Sequence, residues 1–241
     1  MGVKTPFHSY TFHFRSAIFK KKLRRDMNPE ITITVEDESD TSPSRSYTVH
    51  FFDTHIFVTV TKTPSVVRKW VATTVYLRNR RRLFGQLVIG VAVQWNPYRG
   101  NDPPAHTLQL CVGCRCLIFQ LSHATTVPLI LRRFLLDETN TFVGIWNGSD
   151  QKKLEMEHGL DIHRLLDLRR YVETDEGDSL LTASVEAIVS ECLGFEGVYL
   201  DQAISMSRWD AHHLSWEQVL QATVKAYVAF EIGKNQGAWR Y

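Results

Sequence analysis

Residues 87–95, Leu-Val-Ile-Gly-Val-Ala-Val-Gln-Trp, form a nearly continuous apolar run. A half-buried strand alternates, whereas a strand covered on both faces reads as unbroken apolar sequence. Such a strand must lie inside a sheet with helices on both sides. The flanking segments supply both kinds of element. Ile31–Val35 alternates with a period of two, and an acidic, Ser-rich loop, Glu36–Ser44, follows it. Tyr47–Phe51 and His55–Thr61 are β-rich and flank Phe52-Asp53-Thr54, which predicts a hairpin. Thr63 and Pro64 open a helix whose apolar stripe is Val67, Trp70, Val71, Thr74 and Leu77, and which ends in the basic cluster Arg78–Arg82. His106–Cys111 and Arg115–Leu121 predict a second hairpin around Val112-Gly113.

Beyond residue 125, helix and strand alternate. Pro128 opens a helix to about Phe134, Phe142–Ile145 is a short buried strand, and Asp150–His158 is a helix. Ile162–Leu168 is a further short apolar segment. Leu181, Val185, Ile188, Val189 and Cys192 make a helical stripe stopped by Gly194. Ser215 with Gln218 forms a capping box that opens the last helix, which runs to about Ile232. The pattern predicts an α/β fold, a mixed sheet flanked by helices with an N-terminal β-rich extension. Residues 1–44 are expected to form a basic, β-rich arm and residues 45–241 the domain.

Composition narrows the class. The 241 residues are 44% hydrophobic and 22% charged, which excludes collagen-like, low-complexity and fully disordered chains. No apolar run approaches the roughly 20 residues of a membrane span. Four cysteines are too few for a disulfide scaffold and point to a reducing, intracellular compartment, nuclear or cytoplasmic. Organelle targeting is left open by the first 25 residues, which hold seven Lys or Arg and no acid. The charge is divided unevenly. Residues 1–133 carry 19 Lys and Arg against 8 Asp and Glu, and residues 134–241 carry 9 against 18. A basic half suits a nucleic-acid partner, although the acidic half could equally balance it as ordinary solvated surface.

Several segments carry a resemblance. Val88–Trp95, Thr107–Gly113, Arg115–Gln120, Phe142-Val143-Gly144 with Asp150, Met206–Asp210 and Ala226–Gly233 are similar to the plant Werner-exonuclease-like proteins. The likeness covers roughly residues 45–235. It implies a ribonuclease H-like, DnaQ-type 3′–5′ exonuclease fold, in agreement with the mixed sheet reached from the pattern alone.

The resemblance also implies a chemistry. Exonucleases of this type use two divalent ions to activate a water and stabilise the leaving oxygen, and hard Mg²⁺ or Mn²⁺ takes carboxylate ligands. The family's first motif, Asp-x-Glu at the end of the central strand, falls on Ala92 and Gln94. Its second supplies an Asp, matched by Asp150. Its third places Tyr and Asp four residues apart on the last helix, where this chain has Gln221 and Lys225. Three of the four ligand carboxylates are thus replaced, and Lys225 brings a positive charge to a metal position. The implied protein binds nucleic acid, is catalytically impaired or inactive, and needs no cofactor. Two alternatives stand beside it. One is an active Mg²⁺- or Mn²⁺-dependent exonuclease on DNA or RNA with a site rebuilt from carboxylates such as Asp161, Asp167 or Asp210. The other is a protein-interaction module on the same scaffold.

For binding, Arg78, Arg80, Arg81, Arg82, Tyr98 and Arg99 are the candidates, an aromatic and basic set suited to single-stranded nucleic acid. The competing reading makes the arginines a solvated helix end. Cys111, Cys114 and Cys116 lack a second pair at zinc spacing and read as packed thiols. His212-His213 reads as surface or packing histidine. In the arm, Tyr10, Phe12 and Phe14 alternate, as do Ile31, Ile33 and Val35. Such strands predict self-association into a homo-oligomer or folding back onto the chain's own sheet.

Overall fold

The computed structural model describes residues 31–37, 41–81, 87–96 and 103–241. Among the described residues eight strands make one mixed sheet, β1 (Thr32–Asp37), β2 (Arg45–Phe51), β3 (Thr54–Thr61), β4 (Leu87–Gln94), β5 (Thr107–Val112), β6 (Arg115–Gln120), β7 (Asn140–Gly144) and β8 (Leu165–Asp167), in the order β1-β2-β3-β6-β5-β4-β7-β8. The helices are α1 (Pro64–Arg80), α2 (Leu129–Leu135), α3 (Asp150–His158), α4 (Val185–Leu193), α5 (Gln202–Ser205) and α6 (Trp216–Asn235). β3 is parallel to β6, and β4 is parallel to β7 and antiparallel to β5, which is antiparallel to β6. The strands β3, β6, β4, β7 and β8 therefore end at one edge of the sheet, at Thr61, Gln120, Gln94, Gly144 and Asp167. That edge holds the candidate site.

β4 is buried along its whole length, because each of its faces meets a separate core. Val88 and Ala92 pack with α6 and α4, while Leu87, Ile89, Val91 and Val93 pack with Val67, Trp70 and Val71 of α1 and Leu131, Phe134 and Leu135 of α2. Gly90 sets how closely α6 approaches. A Cβ there would lie 1.9 Å from the Ala226 carbonyl oxygen and 2.8 Å from the Phe230 nitrogen. With that crossing fixed, one helical turn back along α6 (about 5.4 Å) keeps step with two residues forward along β4 (about 6.6 Å). Ala222, Gln221 and Lys225 are carried in this way toward Ala92 and Gln94.

Local signals explain the boundaries. Ser215 accepts from the Gln218 amide while the Gln218 side chain accepts from the Ser215 amide, and this reciprocal cap starts α6. The helix runs three residues past Ile232. Gly194 closes α4 in the left-handed conformation (φ 71°). Leu181, expected in that helix, precedes it. Thr63 stands at the N-cap of α1 without a side-chain cap, and its own amide donates to Thr61 Oγ1 (2.9 Å). Thr32–Asp37, expected in the arm, pairs antiparallel with β2 and forms the edge strand of the sheet. Tyr10, Phe12 and Phe14 lie outside the described residues. Among the described residues no helix is long and apolar enough to cross a membrane.

Candidate functional site

Asp150 opens α3, immediately beyond the end of β7, and is buried at 2% exposure. β7 pairs with β4 only from Leu87 to Gly90, so the later amides of β4 have no strand partner on that side. The Val93 amide uses this opening to donate to the Asp150 carboxylate. Burial pushes the Asp150 pKa up to about 7. The nearby charge of Asp167 adds to the rise, and the ammonium groups of Lys225 and Lys153 oppose it. Lys153, one turn along α3, is itself buried, donates to the Pro103 carbonyl (2.7 Å) and sits 5.1 Å above the Trp95 ring.

The remaining positions implied by the resemblance come together around this carboxyl, with other chemistry. Ala92 and Gln94 are buried at the end of β4. Gln109 and Thr107 stand opposite them on β5, and Gln109 Nε2 donates to Thr107 Oγ1 (2.7 Å). Gln109 Oε1 is buried with no hydrogen-bond donor among the described residues. Gln221 turns its amide away toward α5, donating to the Asp201 carbonyl (3.1 Å) and Ser205 Oγ (2.7 Å). It acts as a brace between helices.

The carboxylates that could rebuild a metal site already have partners. Asp167 is held in a forked pair by Arg169 (2.6 Å at the shortest). Asp161 accepts from Gln151 Nε2 (3.0 Å), and Asp210 is paired with Arg208. Among the described residues no three His, Cys, Asp or Glu side chains gather where they could hold a metal ion. Cys111 and Cys116 face each other across β5 and β6 in the core, where burial pushes the Cys111 thiol well up, while Cys114 is exposed in the turn.

The arginine cluster lies away from this carboxyl. α1 follows β3 and must return to the opposite edge before β4 can start parallel to it, so Arg78, Arg80 and Arg81 lie at the far end of the sheet from Asp150. Arg78 is also occupied, since its guanidinium bridges Asp137 (2.8 Å) and donates to Thr139 and Asn140 at the start of β7. It ties α1 to the α2–β7 turn. Arg80 and Arg81 are exposed, and Arg82, Tyr98 and Arg99 lie outside the described residues.

Trp146 was missed by the sequence reading. It follows β7 with φ at 57°, a left-handed conformation that is strained for a bulky side chain, and it is 46% exposed. The Arg169 guanidinium lies 3.5 Å from the ring centroid, and the indole N–H donates to the Ala183 carbonyl (3.0 Å). Gly144 and Gly148 on either side were the available signal for an unusual turn here.

Comparison with known proteins follows this geometry. No family model matches the chain. The chain is 30% identical over 152 residues to human exonuclease 3′-5′ domain-containing protein 2, covering 59% of this chain and 24% of that protein. It is 27% identical over 157 residues to the mouse bifunctional 3′-5′ exonuclease/ATP-dependent helicase WRN, covering 62% of this chain and 11% of the relative. The chain thus spans a quarter or less of the length of these curated relatives. The structure of the Aedes aegypti Nibbler EXO domain superposes with a TM-score of 0.57 at 14% identity, covering 75% of this chain and 87% of that one. The fold is ribonuclease H-like. The Werner-type resemblance read from the segments agrees with the sequence relatives.

Proposed function

We propose that this chain is a 3′–5′ exonuclease-like domain that binds nucleic acid and does not hydrolyse it through a metal pair. Its relatives are named as 3′-5′ exonucleases, and Asp150 lies beyond the ends of β4 and β7, at the strand ends where open α/β sheets take ligands. The carrying observation is the company of Asp150, which is two lysines and a committed aspartate. A divalent pair needs several oxygen anions around it, whereas Lys225 and Lys153 put positive charge there. The residues present do not fit the metal pair that the fold family implies. The same positive charge suits phosphate, and exposed Trp146 supplies a flat ring for base stacking.

The deciding experiment incubates purified protein with end-labelled single-stranded and recessed-end DNA and RNA in millimolar Mg²⁺ or Mn²⁺. Binding without shortening is the expected result. Stepwise 3′ shortening that Asp150→Asn abolishes would overturn the reading in favour of a rebuilt catalytic site.

A further inference from the structure

A cavity of about 240 Å³ opens beside the first turn of α3, at the ends of β7 and β8. That is room for about eight waters, or for one heterocyclic ring system. Leu165 and Leu166 give it apolar surface, and Gly148 leaves space, since a Cβ there would meet nothing within 4 Å. Tyr171 supplies a flat wall, its ring held by stacking on Tyr241 (4.5 Å between centroids, 17° between planes). The polar walls are fixed before any ligand arrives. Asn147, 5% exposed, donates through Nδ2 to the Leu166 carbonyl (3.0 Å). Gln151 donates through Nε2 to Asp161 (3.0 Å) and the Ile162 carbonyl (3.2 Å). Both amide nitrogens are thus spent within the protein, and both amide oxygens are left without a donor among the described residues. Arg170 is exposed and makes no hydrogen bond or ion pair among the described residues.

We propose that this cavity seats one unstacked nucleobase of a nucleic-acid strand bound at Asp150. The inference rests on the nucleic-acid reading above and adds to it that the strand is held by a base as well as by its phosphates. The walls decide between base and phosphate. Asn147, Gln151 and Asp167 offer oxygen acceptors, and Arg170 offers donors. A phosphate diester has no N–H for those acceptors and would face the Asp167 carboxylate. A metal ion would meet the guanidinium groups of Arg169, which already pairs with Asp167, and of Arg170. A base carries both kinds of group on one edge, N–H for the oxygens and carbonyl or ring nitrogen for the guanidinium. Its flat faces suit leucine and tyrosine walls. Placement agrees. Gln151 directly follows Asp150, and successive residues of a helix point about 100° apart. Asp150 turns to the Val93 amide on β4, whereas Gln151 turns to the Asp161–Ile162 segment that leads into β8. Carboxyl and cavity therefore lie on two sides of one helical turn, within reach of neighbouring nucleotides of one strand.

The test is fluorescence anisotropy with the full chain at several salt concentrations, using a labelled oligothymidylate of about 12 nucleotides and an abasic strand with the same number of phosphates. Thymine presents N3–H between two carbonyls and so offers both kinds of group. Gly148→Leu fills the cavity from a position where an added side chain meets open space, and Arg170→Gln removes the donors. Each is expected to weaken oligothymidylate binding about tenfold, the order of one seated base, and to leave binding of the abasic strand within about twofold. The salt slope should not change, because neither variant removes a phosphate contact, whose loss would lower it by about 0.7 on a single strand. Arg170→Gln, at an exposed position without a partner among the described residues, decides if Gly148→Leu folds poorly.

Equal oligothymidylate binding by wild type and both variants overturns this inference and leaves the proposed function standing. A loss of the same size on the abasic strand, or a salt slope lowered by about 0.7 in Arg170→Gln, makes Arg170 a phosphate contact and overturns the base assignment, again with nucleic-acid binding intact. No binding of either strand by wild type overturns both.

Discussion

Replacing Asp150 by asparagine should remove a pH dependence from the stability of the fold. The carboxyl is pushed up to about 7 in the native fold against an ordinary 3.8, because its burial outweighs the help it receives from Lys225 and Lys153. The sign follows from the raised value. Below pH 4 both folded and unfolded chains hold the proton, so the group contributes nothing to the pH slope. Between about 4 and 7 the unfolded chain releases the proton while the folded chain retains it, and folding loses about 1.4 kcal/mol per pH unit. Above 7 the loss is complete, about 4 kcal/mol. Asparagine has the same shape, still accepts the Val93 amide through Oδ1, and does not titrate. Urea unfolding of both proteins from pH 4 to pH 8 reads the difference, in which all other titrations cancel. The Asn variant should gain on wild type by about 4 kcal/mol across that range. A constant gap would refute the reasoning. So would an Asn variant that becomes the less stable protein by several kcal/mol at pH 8, since that is the mark of an ionised carboxylate paired with Lys225 and Lys153.

Two further substitutions probe the frame and the rim. Gly90→Ala would place a methyl against the Ala226 backbone, which cannot give way without moving α6. It should cost roughly 3 kcal/mol or more, read as a fall in Tm of about 6–12 °C. Trp146→Gly suits the positive φ and exchanges strain for a lost ring contact, so stability should change by less than about 1 kcal/mol. Oligonucleotide affinity should nevertheless fall about tenfold or more, the worth of one stacked base, and unchanged affinity would remove Trp146 from the binding surface.

The sequence showed most where one physical cause acts alone. Burial on both faces leaves β4 unbroken, so Leu87–Trp95 could be read as a central strand. The reciprocal Ser215–Gln218 cap marks the start of α6 without help from tertiary context. β8 spans only three residues, too few for a period to register, and remained an apolar segment. The arginine cluster shows a different limit. Its charge was plain in the sequence, but which edge of the sheet it reached depended on α1 returning between two parallel strands, β3 and β4. The strain at Trp146 is a backbone conformation, and side-chain type carries no trace of it.

Packing does not explain the presence of Asp150. Ala92 fills core space, and Gln221 braces α5 through two hydrogen bonds. An acid at the first turn of α3 gains a few tenths of a kcal/mol to about 1 kcal/mol from the helix dipole, less than its burial costs at neutral pH. What it supplies is a charge that changes near neutrality beside two fixed ammonium groups. Bound phosphate disfavours the ionised carboxylate and so draws a proton onto it, and by linkage the wild-type protein must bind an oligonucleotide more tightly below pH 7 than above it. Asp150→Asn should bind with the acidic-pH affinity throughout, the histidine titrations common to both proteins cancelling in the comparison. If the two pH profiles coincide, bound phosphate does not reach Asp150.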